Sequence, residues 1–279
     1  MPKALSSSSH MESVSVPMVG LLTDFGLLEP YVAQMKGVIL KYAPNIRFID
    51  ITHNVPPFKV RLGAHFLAET VRFFPPGSIF LCVVDPEVGS SRDLVALQNS
   101  GHVFFAPNNG LLSLIPREAE ARLWRLEGDA DEEGVRIFAG RDILSRALGQ
   151  FLSGASLQSI GTPMGIAELV APHWPVANLS SGRVKSKALH IDSFGNVLLN
   201  ISTRQWNRLD KGKVTLLRFM GKEFPLFPAS YYSQIPEKTL ALIAGSQGFM
   251  EIAMNQGSAA EFLNFTPEML GTTAICIVL

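Results

Sequence analysis

The chain has 279 residues, of which 47% are hydrophobic, and it carries 24 basic and 24 acidic side chains. This length suits one large domain or two modest ones, each with a sizeable core. The balanced charge gives neither the basic field expected of a nucleic-acid-binding protein nor an acidic tail. No apolar run approaches the roughly 20 residues of a membrane-spanning helix, so we expect no membrane association.

The first 17 residues are Ser-rich and lack the apolar centre of a signal peptide, so they are expected to be a disordered or added tail. Cys82 and Cys276 both lie in apolar, strand-like runs. Buried, reduced thiols are the simplest interpretation, and they are consistent with a cytoplasmic protein.

The next part of the chain alternates between strand and helix patterns. The predicted order is a strand ending at Thr23, a helix over Glu29–Tyr42, a strand over Ile46–Ile51, a helix over about Val60–Phe74 and a strand over Ile79–Val84. This β-α-β-α-β order predicts a largely parallel sheet flanked by helices. A hairpin around Asn99-Ser100-Gly101, a helical start at Leu111–Ile115 and a helix over about Ile143–Leu152 follow.

The C-terminal part is mostly a succession of short strands separated by turn residues, which favours a small barrel or sandwich. A Pro-containing segment precedes it and reads as a linker. We therefore predict an α/β domain over 18–170, a linker over 171–180 and a smaller all-β domain over 181–279.

Two predicted strands end in an aspartate. Asp24 follows the first strand, and Asp85 follows the strand over Ile79–Val84, with Arg92 seven residues later. Ligands of open α/β sheets bind outside the carboxyl ends of the strands. An ionised carboxylate is an acceptor with two oxygens, so Asp24 suits the vicinal hydroxyls of a ribose. A loop salt bridge for Asp85 and Arg92, and a helix cap for Asp24, are the alternatives.

In the β domain, Asp192, Phe194 and Asn196 lie within five residues and supply an acceptor, a stacking face and an amide. A plain hairpin turn explains them equally well. Asn255 offers the donor and acceptor that read an adenine edge, although singly it is an ordinary surface asparagine. No zinc-ligand spacing, phosphate-binding glycine loop or nucleophile triad occurs.

Eight motifs in order nevertheless resemble one family, the S-adenosyl-L-methionine (SAM) hydroxide adenosyltransferases, or SAM hydrolases, which are related to fluorinase and chlorinase. The motifs are Leu22-Thr23-Asp24-Phe25-Gly26, Met35-Lys36-Gly37-Val38-Ile39, Asp50-Ile51-Thr52-His53, Phe74-Pro75-Pro76-Gly77, Val83-Val84-Asp85-Pro86, Ala106-Pro107-Asn108-Asn109-Gly110, Gly140-Arg141-Asp142 and Asp192-Ser193-Phe194-Gly195-Asn196. The resemblance runs from about Val19 to the C-terminus.

The resemblance implies a homotrimer that binds SAM or adenosine between neighbouring subunits and uses SAM as substrate without a cofactor. Asp85 and Arg92 would hold and polarise the water that attacks C5′, and Asp24 would bind the ribose. The remaining implied substrate-binding residues are Phe58, Asp192, Phe194, Asn196, Tyr232, Ser246 and Asn255. Of these, Tyr232 would stack near the adenine, Asn255 would touch its edge, and Ser246 would bind the amino-acid end.

The chain departs from the family pattern beside the expected catalytic group. Phe138-Ala139-Gly140-Arg141-Asp142 has Ala139 where the family has a histidine, and Glu87 replaces a glycine. Loss of one acid–base group typically costs on the order of 10²–10⁴-fold in rate. We therefore expect SAM hydrolysis to adenosine and methionine at a reduced rate, with a non-catalytic binder of adenosyl compounds as the alternative. A halogenase is disfavoured because Asp85 places negative charge where a halide would bind.

Overall fold

The computed structural model describes residues 16–87, 92–127, 138–172, 176–180, 182–209, 216–227 and 229–279. The predicted N-terminal tail lies almost entirely outside these residues. The chain divides into two compact units, Met1–Ala171 and Pro172–Leu279. Among the described residues, no helix combines the length and apolarity needed to cross a membrane.

The described part of the N-terminal unit is built on a sheet of seven strands. Its strands are β1 (Met18–Thr23), β2 (Arg47–Thr52), β3 (Ile79–Val83), β4 (Leu94–Asn99), β5 (His102–Pro107), β6 (Arg122–Leu126) and β7 (Gly161–Met164). Their order across the sheet is β2-β1-β3-β5-β4-β6-β7. Strand β3 is buried along its whole length, as its unbroken apolar run predicts.

The prediction of a largely parallel sheet is only partly right. Strands β2, β1, β3 and β5 run parallel, whereas the β5–β4, β4–β6 and β6–β7 pairs are antiparallel. The change of direction occurs at the predicted hairpin, where Ser100 and Gly101 have φ values of 53° and 73°. Two positive φ values are what a tight two-residue hairpin turn requires, and the sheet is therefore mixed.

Helices α1 (Tyr31–Tyr42) and α2 (Val60–Val71) connect the first three strands, and α1 buries Val32, Met35 and Ile39. Later in the unit a π-helical turn, Gly140–Leu144, leads into α3 (Ser145–Leu152) and the short α4 (Leu157–Ile160). The predicted helical start at Leu111–Ile115 is wrong, because this segment forms turns closed by bonds such as Ser113 N–H to Gly110 O.

Among its described residues the C-terminal unit contains eight strands, and all their pairings are antiparallel. They are β8 (Asn178–Ser180), β9 (Arg183–Ile191), β10 (Val197–Ser202), β11 (Leu216–Phe219), β12 (Lys222–Pro225), β13 (Leu240–Ala244), β14 (Phe249–Met254) and β15 (Ala274–Val278). The main order is β12-β11-β15-β9-β10-β14-β13. A bridge between Phe227, just after β12, and Ala241 in β13 brings the two edges together, so the sheet is nearly barrel-like.

Two short helices, α5 (Thr203–Asn207) and α6 (Ala259–Leu263), pack on this sheet. The main core of buried side chains in this unit includes Val197, Trp206 and Ile252, and a second, smaller cluster contains Ile235, Ala241, Ile243 and Ala253. The turn that carries Asp192 joins β9 to β10, and the turn that carries Ser246 joins β13 to β14.

Candidate active site

Asp24 and Asp85 lie at the same edge of the N-terminal sheet. Strands β1 and β3 are parallel neighbours with Thr23 opposite Val83, so the chain delivers both aspartates to the carboxyl ends of adjacent strands. The two carboxylates repel each other, since the negative charge of Asp85 contributes to the raised pKa of the Asp24 carboxyl. We call Asp24, Asp85 and Arg92 the carboxylate edge.

Asp85 is held by two donors. The Arg92 guanidinium pairs with its Oδ1 through one nitrogen and with Glu87 Oε2 through another. The backbone N–H of Glu87 donates to Asp85 Oδ1 at 3.1 Å. The Asp85 side chain is only 7% exposed, whereas that of Glu87 is 66% exposed. Asp85 and Arg92 thus form a nearly buried pair, and Glu87 is an outer partner of the same arginine.

Asp24 is fixed by the loop after β2. The backbone N–H of Phe58 donates to Asp24 Oδ2 at 2.9 Å, and Phe58 has the rare positive φ of 66°. Burial raises the pKa of Asp24 above its usual value, and the hydrogen bond from Phe58 opposes that shift. The Phe58 ring itself is 65% exposed. The structure therefore shows a backbone contribution of Phe58 to the position of Asp24, and its exposed ring is the group that the resemblance assigns to ligand binding.

A buried histidine supports this loop. His53 Nδ1 lies 2.9 Å from Thr23 Oγ1, and Nε2 lies 3.1 Å from Asp50 Oδ1, which also pairs with Lys36 at 2.8 Å. The His53 carbonyl accepts the Gly26 N–H at 2.7 Å. Burial disfavours the Asp50 charge, but the hydrogen bonds from Lys36 and His53 outweigh it and lower the pKa of Asp50. Thr23 and Gly26, which lie before and after Asp24 in the chain, are therefore both hydrogen-bonded to His53.

The segment containing Ala139 packs against this edge. The Phe138 ring lies edge-on to that of Phe25, with centroids 5.3 Å apart, and Phe25 directly follows Asp24. A Cβ added to Gly140 would meet the Val83 side chain at 3.4 Å, two residues before Asp85. Ala139 lies between these two contacts, at the backbone position where the family pattern places its histidine.

The C-terminal unit contains a cavity of about 980 Å³. It brings together the predicted ligand-binding residues of this unit, which are Asp192, Phe194, Asn196, Tyr232, Ser246 and Asn255. Phe194 is 78% exposed, so its ring is available to a ligand, whereas Asn196 is buried. We call this space the C-terminal cavity.

Several of these side chains also organise the protein itself. Asp192 Oδ1 accepts the backbone N–H groups of Phe194 and Asn196, and Asp192 Oδ2 accepts the Asn196 side-chain amide, each at 2.9 Å. Asn255 donates its amide to the Ile235 carbonyl at 2.7 Å. A carboxylate oxygen and an amide carbonyl each have further lone pairs, so structural bonds leave acceptor capacity for a ligand.

Glu251, in β14, is a cavity residue that the sequence pattern did not single out. The Tyr232 hydroxyl donates to Glu251 Oε1 at 2.5 Å. Burial raises the pKa of Glu251, and the charge of Asp192 raises it further. A lone acidic residue in an otherwise apolar strand, next to the Ser246 turn, is the signal that could have identified it.

Comparison with known proteins assigns the family. The SAM hydroxide adenosyltransferase N-terminal domain matches residues 19–161, and the corresponding C-terminal domain matches residues 186–270. The chain belongs to this family, which confirms the resemblance.

Individual relatives agree with that assignment. The (R)-S-adenosyl-L-methionine hydrolase of Salinispora arenicola is 32% identical over 93% of this chain and 99% of its own. A fluorinase of an Actinoplanes species is 26% identical over 88% and 93%. The crystal structure of an uncharacterised conserved protein from Thermotoga maritima matches with a TM-score of 0.83 at 30% identity, over 94% of this chain and all of that one.

Proposed function

We propose that the protein hydrolyses SAM to adenosine and L-methionine. The observation that carries the proposal is the carboxylate edge, in which Asp24 and the Asp85–Arg92 pair follow neighbouring parallel strands and interact electrostatically. Several relatives named (R)-S-adenosyl-L-methionine hydrolase support the same reaction.

In the proposed reaction, the oxygen of water attacks C5′ as the C5′–S bond breaks. The bonding electrons leave with sulfur, so the sulfonium becomes the neutral thioether of methionine, and the water loses one proton. Because the sulfonium is a good leaving group, the protein mainly has to align and partly desolvate the nucleophile. Asp85 orients the water and takes its proton, while Arg92 stabilises hydroxide character.

The binding roles follow the chemistry of each side chain. Asp24 accepts hydrogen bonds from the ribose hydroxyls, and the Phe58 ring lines its loop. Asp192, Phe194 and Asn196 bind the methionine part or the sugar. Tyr232 stacks near the adenine, Asn255 contacts its edge, and Ser246 binds the amino-acid end. The reaction needs no added cofactor, and the active form is a homotrimer.

Ala139 supports a second candidate, a binder of adenosyl compounds without turnover. The neighbours of Ala139 contact residues next to the carboxylate edge, Phe138 against Phe25 and Gly140 against Val83, yet the Ala139 side chain offers no proton donor or acceptor. Glu87 does not simply replace the missing group, because its carboxylate is engaged by Arg92 at the surface.

One experiment separates the two candidates. The purified protein is incubated with SAM, adenosine and methionine are quantified, and binding of SAM and adenosine is measured by calorimetry. Equimolar adenosine and methionine above a buffer blank support hydrolysis. Binding without products supports the second candidate, and the absence of both binding and products contradicts both. A 5′-halo-adenosine formed only with halide would instead indicate a halogenase.

A further inference from the structure

His53 is a buried histidine that has no part in the proposed reaction. It is only 4% exposed and directly follows β2. Regular pairing of β1 with β2 ends at Leu22 opposite Thr52, after a register shift. The next residues, Thr23 and His53, are joined by their side chains instead, with Oγ1 and Nδ1 2.9 Å apart. A buried polar contact therefore continues the association of the two strands into the carboxylate edge.

The neighbours of this contact fix the direction of its hydrogen bond. His53 Nε2 lies 3.1 Å from Asp50 Oδ1, and an ionised carboxylate can only accept, so the ring proton belongs on Nε2. Nδ1 is then an acceptor, and the Thr23 hydroxyl donates to it. The same hydroxyl oxygen accepts the backbone N–H of Phe25 at 3.3 Å. Thr23 thus also holds the peptide group that follows Asp24.

The loop after His53 holds the same stretch of chain at two further points. The His53 carbonyl accepts the Gly26 N–H at 2.7 Å. Phe58, in its rare positive-φ conformation, donates its N–H to Asp24 Oδ2 at 2.9 Å. A residue in such a conformation persists only where the surrounding structure fixes it. The orientation of the Asp24 carboxylate therefore depends on the position of this loop, which the buried imidazole ties to Thr23.

The outer end of this network is anchored on helix α1. Lys36, in α1, donates to Asp50 Oδ2 at 2.8 Å, and both side chains are partly exposed. A continuous series of contacts thus runs from the helix through Asp50, His53 and Thr23 to the chain beside Asp24. Buried hydrogen-bond networks rigidify the segments they join, and a preorganised binding group loses less entropy when a ligand binds.

We propose that His53 is a positioning residue for recognition of the ribose. It does not touch the ligand, and it acts through Thr23 and the following loop to hold the Asp24 carboxylate towards the two ribose hydroxyls. This role rests on the proposed function, in which Asp24 binds the ribose. A histidine that served stability alone would leave ribose recognition unchanged in every variant that still folds.

The test compares adenosine with 2′,3′-dideoxyadenosine, which lacks both hydroxyls that Asp24 would bind. Calorimetry on the full chain gives the ratio of the two affinities, which we call the ribose ratio. Hydrogen bonds to an ionised group predict a ribose ratio of roughly 10 to 100 for the wild type. His53→Gln removes the acceptor at Nδ1 and should lower this ratio by about fivefold or more. His53→Asn places an amide oxygen near the position of Nδ1 and should keep the ratio within about twofold of wild type.

Thr23→Val is an independent variant of nearly the same shape, and it removes the other partner while leaving the histidine intact. It should lower the ribose ratio as far as His53→Gln does, and the double variant should lower it no further. Asp24→Asn should lower the ratio as well. In that background His53→Gln should have no additional effect on the ratio, because His53 acts through Asp24.

His102→Gln is the matched control. His102 is also buried, and its Nδ1 lies 3.2 Å from the Ser78 carbonyl oxygen. It begins β5, which runs parallel to β3, so it lies at the amino ends of the strands and away from the carboxylate edge. Thermal unfolding should show that both glutamine variants are folded but destabilised, and only His53→Gln should change the ribose ratio.

The outcomes separate this role from the proposed function. An unchanged ribose ratio in folded His53→Gln and Thr23→Val would overturn the positioning role and leave the hydrolase proposal standing. An equal fall in His102→Gln would also overturn it, because the effect would then reflect general destabilisation. Wild-type protein that binds the two nucleosides equally would overturn ribose binding by Asp24 and the role of His53 together. Failure to bind SAM or adenosine, with no products, would count against the proposed function and against this role with it.

Discussion

Asp85 and Glu87 contact the same arginine, and comparing them separates a catalytic role from a surface ion pair. Asp85→Asn removes the charge of a side chain that is 7% exposed, and Glu87→Gln removes that of one that is 66% exposed. Loss of a general base costs on the order of 10²–10⁴-fold in rate. An exposed ion pair contributes only about 0–1 kcal/mol, so Glu87→Gln should change the rate by less than about fivefold.

Asp85→Asn should also lower the free energy of unfolding. Asn at residue 85 still accepts the Glu87 N–H, and Arg92 keeps Glu87, so we expect about 1–3 kcal/mol of destabilisation. The assay measures initial rates of adenosine formation and urea unfolding for wild type and both variants in one buffer. Comparable rate losses in the two variants, or an Asp85→Asn variant within threefold of wild type, would refute the assignment of Asp85 as the base.

Four further predictions concern the same site. Ala139→His should raise the rate of adenosine formation by about 10-fold or more, because it restores an acid–base group beside the carboxylate edge, whereas Ala139→Phe should not. Asp24→Asn should weaken adenosine binding yet raise the melting temperature at pH 8. The pKa of Asp24 is higher in the folded protein than its usual value of 3.8, so at pH values above 3.8 the ionisation of Asp24 destabilises the fold. The gain in melting temperature from Asp24→Asn should therefore disappear near pH 3, where Asp24 is protonated in both the folded and the unfolded protein. Dialysis against EDTA should leave the rate unchanged, and a metal-dependent loss would contradict the cofactor-free reaction. Light scattering should give about three times the 30.4 kDa of one chain, whereas a monomer mass would contradict the trimer.

Much of the carboxylate edge could be predicted because it depends on strands. The predicted strands ending at Thr23 and Val84 place Asp24 and Asp85 at strand ends, and parallel pairing of β1 with β3 then brings them together. The mixture of parallel and antiparallel strands in this sheet was harder to predict from the sequence. Apolar periodicity identifies β4 to β6 but does not state their direction, even though the Ser100-Gly101 turn already specified one antiparallel pair.

The contacts that hold the site could not be read from residue types. Phe58 fixes Asp24 through a backbone N–H, which any residue other than proline possesses. Glu251 occupies an alternating strand position that normally faces solvent, and only the fold of the hairpin over it makes it half-buried. Such features depend on tertiary packing of distant segments, while the sequence pattern reports local periodicity.

The central claim is that Asp85 and Arg92 direct water to C5′ of the adenosyl group. Incubation with SAM in water enriched in ¹⁸O, followed by mass spectrometry of the adenosine, tests it most directly. The account predicts one ¹⁸O atom in the 5′-hydroxyl of adenosine, none in methionine, and loss of the product in Asp85→Asn. No labelled adenosine from wild-type protein, or undiminished labelling in Asp85→Asn, would contradict it.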